Sequence, residues 1–135
     1  MCTGRASVSR AEPGCFPRST ITADFCRCCL NNGELEGARV LSRKSVELMH
    51  ANHTGDKYLR DTNAFGLGFW VLQDLGYYGE LGSEGSYGWG SAYFPQYLVD
   101  PKERIVAVFM TQHMPSGGLD LNQRFKTLMY QALVK

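Results

Sequence analysis

The chain is 135 residues long, about one domain's worth. Its apolar fraction of 44% and charged fraction of 20% are ordinary for a globular domain. With 14 basic and 13 acidic residues the net charge is +1, which argues against a nucleic-acid partner and against attraction to an anionic membrane.

Residues 1–20 mix Gly, Pro, Ser and Arg with no apolar period, and read as an irregular N-terminal segment. They lack the apolar core of a signal peptide, so the expected location is cytoplasmic. No apolar run approaches the ~20 residues of a membrane-spanning helix. Helix-compatible text runs from Ile21 to Leu30, and Asn31-Asn32-Gly33 stops it. Leu35, Val40 and Leu41 surround Gly37 in a short turn or strand. Ser42 is the expected N-cap of a helix over "RKSVELMHAN", with Leu41 and Val46 at hydrophobic-staple positions. Val46, Met49 and His50 share one face of that helix.

Residues 52–63 read as a polar loop. "FGLGFWVLQ" then alternates Phe65, Leu67, Phe69 and Val71, which predicts one strand over 65–72. "DLGYYGELGSEGSYG" carries five glycines in fifteen residues and reads as a long loop. Strands are expected over 91–99 and 104–112, joined by Asp100-Pro101-Lys102-Glu103, whose Asp and Pro suit a type I turn. Asp120 is the expected cap of a last helix over 120–134, with Gln123 as its capping-box partner. Leu121, Phe125, Leu128, Met129, Ala132 and Leu133 line one face of it. The expected fold class is α+β, an antiparallel sheet with packed helices.

The chemistry-bearing residues offer weak motifs. Five cysteines is an odd number, and Cys15, Cys26, Cys28 and Cys29 crowd together, which favours reduced thiols over a disulfide framework. With His50, His53 and His113 they do not reproduce a zinc spacing, so the cysteines read as small buried hydrophobes, and neither metal nor cofactor is expected. Ser91 is no nucleophile elbow, because Trp89 and Tyr93 stand where that motif needs glycine. Asp100 and Glu103 read as solvated turn carboxylates. The glycine-rich loop lacks the Gly-Lys-Ser/Thr of a phosphate cradle. Gly88 and Gly90 flank Trp89, and glycine weakens a strand unless it bends there or something approaches its backbone.

Three stretches together carry a resemblance: "LNNGELEGARVLSRKSVELM", "FGLGFWV" and "GSYGWGSAYFPQYLVDPKERIVAVFMTQ". From about Asn31 to Gln112 the chain resembles the C-terminal segment of the serine β-lactamase-related hydrolases, especially class C β-lactamases and family VIII esterases. The resemblance implies a partial β-lactamase/transpeptidase-like fold and acyl-transfer chemistry on an ester or β-lactam. It also implies that Trp89, Gly90 and Ser91 take the motif positions of the active-site wall. The Ala92 N–H would then be one oxyanion donor, a group preorganised where negative charge develops.

The other family motifs are missing. No serine has Lys three residues on, so the Ser-x-x-Lys nucleophile motif is absent, and none of the seven tyrosines has Asn two places on. No catalytic residue is therefore assigned. The chain is expected to be a C-terminal portion of a larger enzyme, residues 21–135, from a truncated or frameshifted gene. Its expected partners are a small acyl substrate and a missing N-terminal half or a second copy. The competing reading is a non-catalytic interaction domain that binds a partner through an exposed sheet edge.

Overall fold

The computed structural model describes residues 18–58, 63–113 and 120–134. Of the irregular segment expected over residues 1–20, residues 1–17 lie outside the described residues and residues 18–20 are helical instead. The first helix, α1, spans Arg18–Leu30, three residues earlier than the apolar text suggested. It ends as "NNG" implied: Asn32 and Gly33 have φ of 55° and 92°, and their N–H groups donate to the carbonyls of Cys29 and Cys28. A two-stranded hairpin follows, β1 (Glu34–Leu35) and β2 (Ala38–Arg39). Its Glu36-Gly37 turn has both φ positive, the type I′ geometry that matches strand twist.

The second helix, α2, spans Arg43–Met49 and is capped as expected: the Ser42 hydroxyl accepts from the Ser45 N–H at 2.9 Å. It stops at His50, short of the full apolar text. The polar loop after it holds a 3-10 turn over Gly55–Tyr58.

The single strand expected over 65–72 is instead a hairpin, β3 (Asn63–Phe65) and β4 (Trp70–Leu72), with Phe65 paired to Trp70. Alternation misled here because Gly68 adopts φ +89° and the Gly66 N–H donates to the Phe69 carbonyl. That fold-back leaves Leu67 exposed at the turn while Phe69 is buried. The glycine-rich loop contains one short helix, α3 (Leu75–Tyr78).

A meander completes the sheet: β5 (Tyr87–Gly90), β6 (Gln96–Asp100) and β7 (Ile105–Phe109). The order is β3-β4-β5-β6-β7, each neighbour antiparallel. The strand expected over 91–99 begins only at Gln96, and its first residues form the β5–β6 turn. The strand expected over 104–112 keeps its place but is shorter. The last helix, α4, spans Leu121–Gln131.

The helices sandwich the sheet. Val71, Tyr87, Val99 and Val106 stand opposite one another in register, and with Cys26, Cys29, Val46 and Phe69 they form the core under α1 and α2. α4 lies on the other face. There Phe125 stacks on Phe109 at 5.0 Å, Lys126 sits over Trp70 and pairs with Glu80, and the Tyr130 hydroxyl donates to Asp100 at 2.7 Å. Two expectations for α4 fail. Leu128 is 67% exposed, and Leu133 is exposed too, because only part of the apolar stripe meets the sheet. Asp120 makes no cap bond to the backbone; its carboxylate is held by Arg124 one turn on.

Asp100 also departs from expectation. It is fully buried, not solvated. Its side-chain oxygens accept from the Lys102 and Glu103 N–H groups and from Tyr130, so one buried side chain closes the β6–β7 turn and tethers α4.

Candidate functional site

The four residues singled out by the resemblance, Trp89 to Ala92, run off the end of β5, the middle strand of the larger sheet. Trp89 is the last residue but one of its strand. It stands opposite Tyr97, and Gly90 stands opposite Gln96. The chain then turns sharply: the Ser91 N–H donates to the Pro95 carbonyl and the Phe94 N–H to the Ser91 carbonyl. Phe94 takes φ +73° with its side chain buried, a strained conformation for an aromatic residue. The turn pushes Ser91, Ala92 and Tyr93 outward, all exposed, and no hydrogen bond among the described residues engages the Ala92 N–H.

The two glycines beside Trp89 do different work. A Cβ on Gly88 would lie 2.1 Å from the Tyr97 carbonyl oxygen and 3.0 Å from the Trp70 ring. Strand packing alone therefore demands glycine at 88. A Cβ on Gly90 would meet mainly the Gln96 side chain, at 3.2 Å, which can move aside. Sheet packing thus does not demand glycine at 90 as it does at 88.

Trp89 is 44% exposed, its ring set edge-on against Phe65 at 5.8 Å. Around it the fold gathers residues that sequence spacing did not place together. The β3–β4 turn brings Leu67 to the same end of the sheet, and the end of β7 brings Met110 to His113, where the His113 N–H and the Thr111 hydroxyl both donate to the Tyr93 carbonyl. Gly66 and Gly68 were the available signal for that turn. Gly66 seats against α2, where a Cβ would lie 2.2 Å from the Met49 carbonyl oxygen.

Beneath this end lies the apolar core rather than a reactive centre. Burial pushes the Cys26 thiol up to about 12, with Cys29 adding to it, and Cys29 to about 11, with Cys28 adding to it. Burial likewise raises Tyr87, and Tyr97 to about 12. Protonated, buried thiols are poor nucleophiles, and Cys26 and Cys29 pack as the hydrophobes expected. Among the described residues no three His, Cys, Asp or Glu side chains converge as metal ligands. His50 stacks on Tyr87 at 4.7 Å, and burial holds its pKa below the ordinary histidine value despite a backbone bond and nearby Glu47. Ser86 and Ser83 are buried, and a narrow pocket between the sheet and α4, lined by Trp70, Leu98 and Tyr130 among others, lies on the face away from Trp89.

Comparison with known proteins gives the fold its context. The chain is 30% identical over 108 residues to Protein Rv1367c and to the uncharacterized protein MT1414, both of Mycobacterium tuberculosis. Those matches cover 71% of this chain but 27% of each relative, so the chain spans about a quarter of their length. Among solved structures, EstCE1, a hydrolase with promiscuous acyltransferase activity, superposes with a TM-score of 0.70 at 20% identity, over 83% of this chain and 29% of EstCE1. No protein-family model matches. The α+β sheet with packed helices is thus a fold this chain shares with part of a β-lactamase-like hydrolase. Among the described residues no helix is long and apolar enough to cross a membrane.

Proposed function

We propose that the chain is the sheet and C-terminal helix segment of a β-lactamase-related serine hydrolase, supplying one wall of an acyl site. Trp89, Gly90 and Ser91 form the wall, and the Ala92 N–H is one oxyanion donor. The observation that carries this reading is the outward turn after β5: Ala92 is exposed, no hydrogen bond among the described residues engages its N–H, and Gly90 two residues before it is a glycine that sheet packing does not require. The shared fold with EstCE1 supports it. The reaction would be acyl transfer, with serine attack, a tetrahedral intermediate, an acyl-enzyme and hydrolysis. The nucleophile and base come from outside these residues, because no Ser-x-x-Lys or Tyr-x-Asn is present.

A segment exchange tests this. Residues 31–112 replace the matching segment of EstCE1, and a thermal melt confirms that the chimera is folded. The folded chimera is expected to hydrolyse a chromogenic ester, and Gly90→Val within it to abolish turnover by filling the approach to the Ala92 N–H. A folded chimera with no turnover, or one indifferent to Gly90→Val, contradicts the assignment.

A second reading rests on β7. This strand ends the sheet, and Ile105–Phe109 carries no charge, proline or glycine to discourage pairing. A partner strand adding to that edge would make the segment an interaction module. Partner-dependent protection of the Ile105–Phe109 amides from hydrogen exchange, without ester turnover in the chimera, would favour it.

A further inference from the structure

The turn after β5 contains a route by which a hydroxyl on another strand acts on the Ala92 N–H. On the reading of that N–H as an oxyanion donor, this route decides how the donor is held. The turn is closed twice. The Phe94 N–H donates to the Ser91 carbonyl at 3.0 Å, and the Ser91 N–H to the Pro95 carbonyl at 3.1 Å. Phe94 has φ +73°, the left-handed place that a hairpin with a bulge usually gives to glycine.

The aim of the donor follows from the peptide bond. A trans peptide is planar, so its C=O and N–H point in opposite directions. The Ser91 carbonyl and the Ala92 N–H belong to one peptide unit. With the carbonyl turned inward onto the Phe94 N–H, the Ala92 N–H faces out of the turn. The next unit joins the Phe94 N–H to the Tyr93 carbonyl. That carbonyl accepts twice from the segment after β7: from the Thr111 hydroxyl at 3.0 Å and from the His113 N–H at 3.1 Å. Two peptide units therefore stand in series, with Thr111 and His113 at one end and the Ala92 N–H at the other. Hydrogen bonds in such a chain polarise one another, by about 10–30% per bond. A left-handed aromatic residue persists only where its surroundings over-determine it. Here the Phe94 ring is buried, and both polar groups of the Tyr93–Phe94 peptide are engaged.

We propose that Thr111 is a positioning residue. Acting through the Tyr93–Phe94 and Ser91–Ala92 peptides, its hydroxyl aims the Ala92 N–H and strengthens it as a donor.

Two variants of the chain test this by nitrogen–proton spectra: Thr111→Val keeps the shape and removes the donor, and Thr111→Ser restores the hydroxyl. In a folded Thr111→Val chain the Phe94 and Ala92 amide protons are expected to move upfield together, and in Thr111→Ser to return. A merely structural role would lower the melting temperature without singling out these two amides. The unaltered chain gives a reading that needs no variant: the Phe94 amide is expected to be protected from hydrogen exchange and the Ala92 amide to exchange freely. In the EstCE1 chimera, Thr111→Val is expected to lower kcat and kcat/KM by the same factor, about tenfold, part of the roughly 10²–10³ that loss of a whole oxyanion donor costs. Thr111→Ser is expected to recover most of that loss. Unmoved Phe94 and Ala92 amides in the folded valine variant overturn the proposal. So does a valine chimera whose kcat stays within about twofold of the unaltered one, whose own turnover keeps the wall intact. An unprotected Phe94 amide in the unaltered chain overturns it whether or not the valine variant folds. A folded, unaltered chimera without turnover removes the donor itself, and the proposal falls with it.

Discussion

Asp100 was misjudged by residue type, whereas Trp89 is partly exposed as the wall reading expects, against the habit of its residue type. A tryptophan in a strand usually packs, and a turn aspartate usually faces water, yet Trp89 is 44% exposed and Asp100 is fully buried. Sequence could place Asp100 at the turn, because Asp-Pro chemistry is local. It could not show that Tyr130, 30 residues on, would close over it. Replacing Asp100 by Ala should destabilise the chain by about 2–3 kcal/mol in urea titration, since two N–H groups and a hydroxyl lose their acceptor. A change under ~0.5 kcal/mol would contradict the tether. Trp89→Ala should lose less than about 1.5 kcal/mol, the scale of partial burial, whereas Phe69→Ala in the core should lose about 3–5. Equal losses would place Trp89 in the core. His50 gives a pH signature. Its pKa is lower folded than unfolded, so the unfolded chain binds the proton first as pH falls. Its contribution is fully present above the unfolded value near 6.5 and is lost progressively as pH drops from there through the folded pKa. His50→Gln should flatten stability over that interval, and an unchanged slope would remove His50 as its source.

At the scale of elements, legibility followed the range of the determining interaction. The Ser42 cap, the "NNG" stop and the Asp100 turn depend on neighbours within a few residues, and all three stand as read. The β3–β4 hairpin and the true start of β6 were missed because a period-2 pattern says which residues alternate, not where the chain doubles back. The glycines at 66 and 68 held that information, and so did Pro95, whose carbonyl closes the β5–β6 turn. The α4 stripe misled for another reason: amphipathic text sets a face but not how much of it a sheet covers, so Leu128 stays in water. The glycines around Trp89 make a paired prediction. Gly88→Ala should destabilise the chain by more than about 2 kcal/mol, because the clash is with strand backbone. Gly90→Ala should cost less than about 1 kcal/mol, near the range for a tolerated substitution. Comparable losses at both positions would mean that the sheet demands glycine at 90 as well.

For the whole molecule, the α+β class was legible from the order of elements and the resemblance. The three-layer arrangement, with α1 and α2 on one face and α4 on the other, needed the register of five strands, which pairs residues far apart in sequence. The candidate site was legible only as a contiguous stretch, Trp89 to Ala92; that Leu67, Met110 and His113 share its end of the sheet is a product of tertiary topology. The central claim is a division of labour: these residues offer a wall and an oxyanion donor, and the nucleophile lies outside them. Intact-mass measurement of the purified chain after incubation with a fluorophosphonate tests it most directly. The chain is expected to keep its unmodified mass, because without an activated serine the covalent route is closed. A stoichiometric phosphonyl adduct on any serine would contradict it.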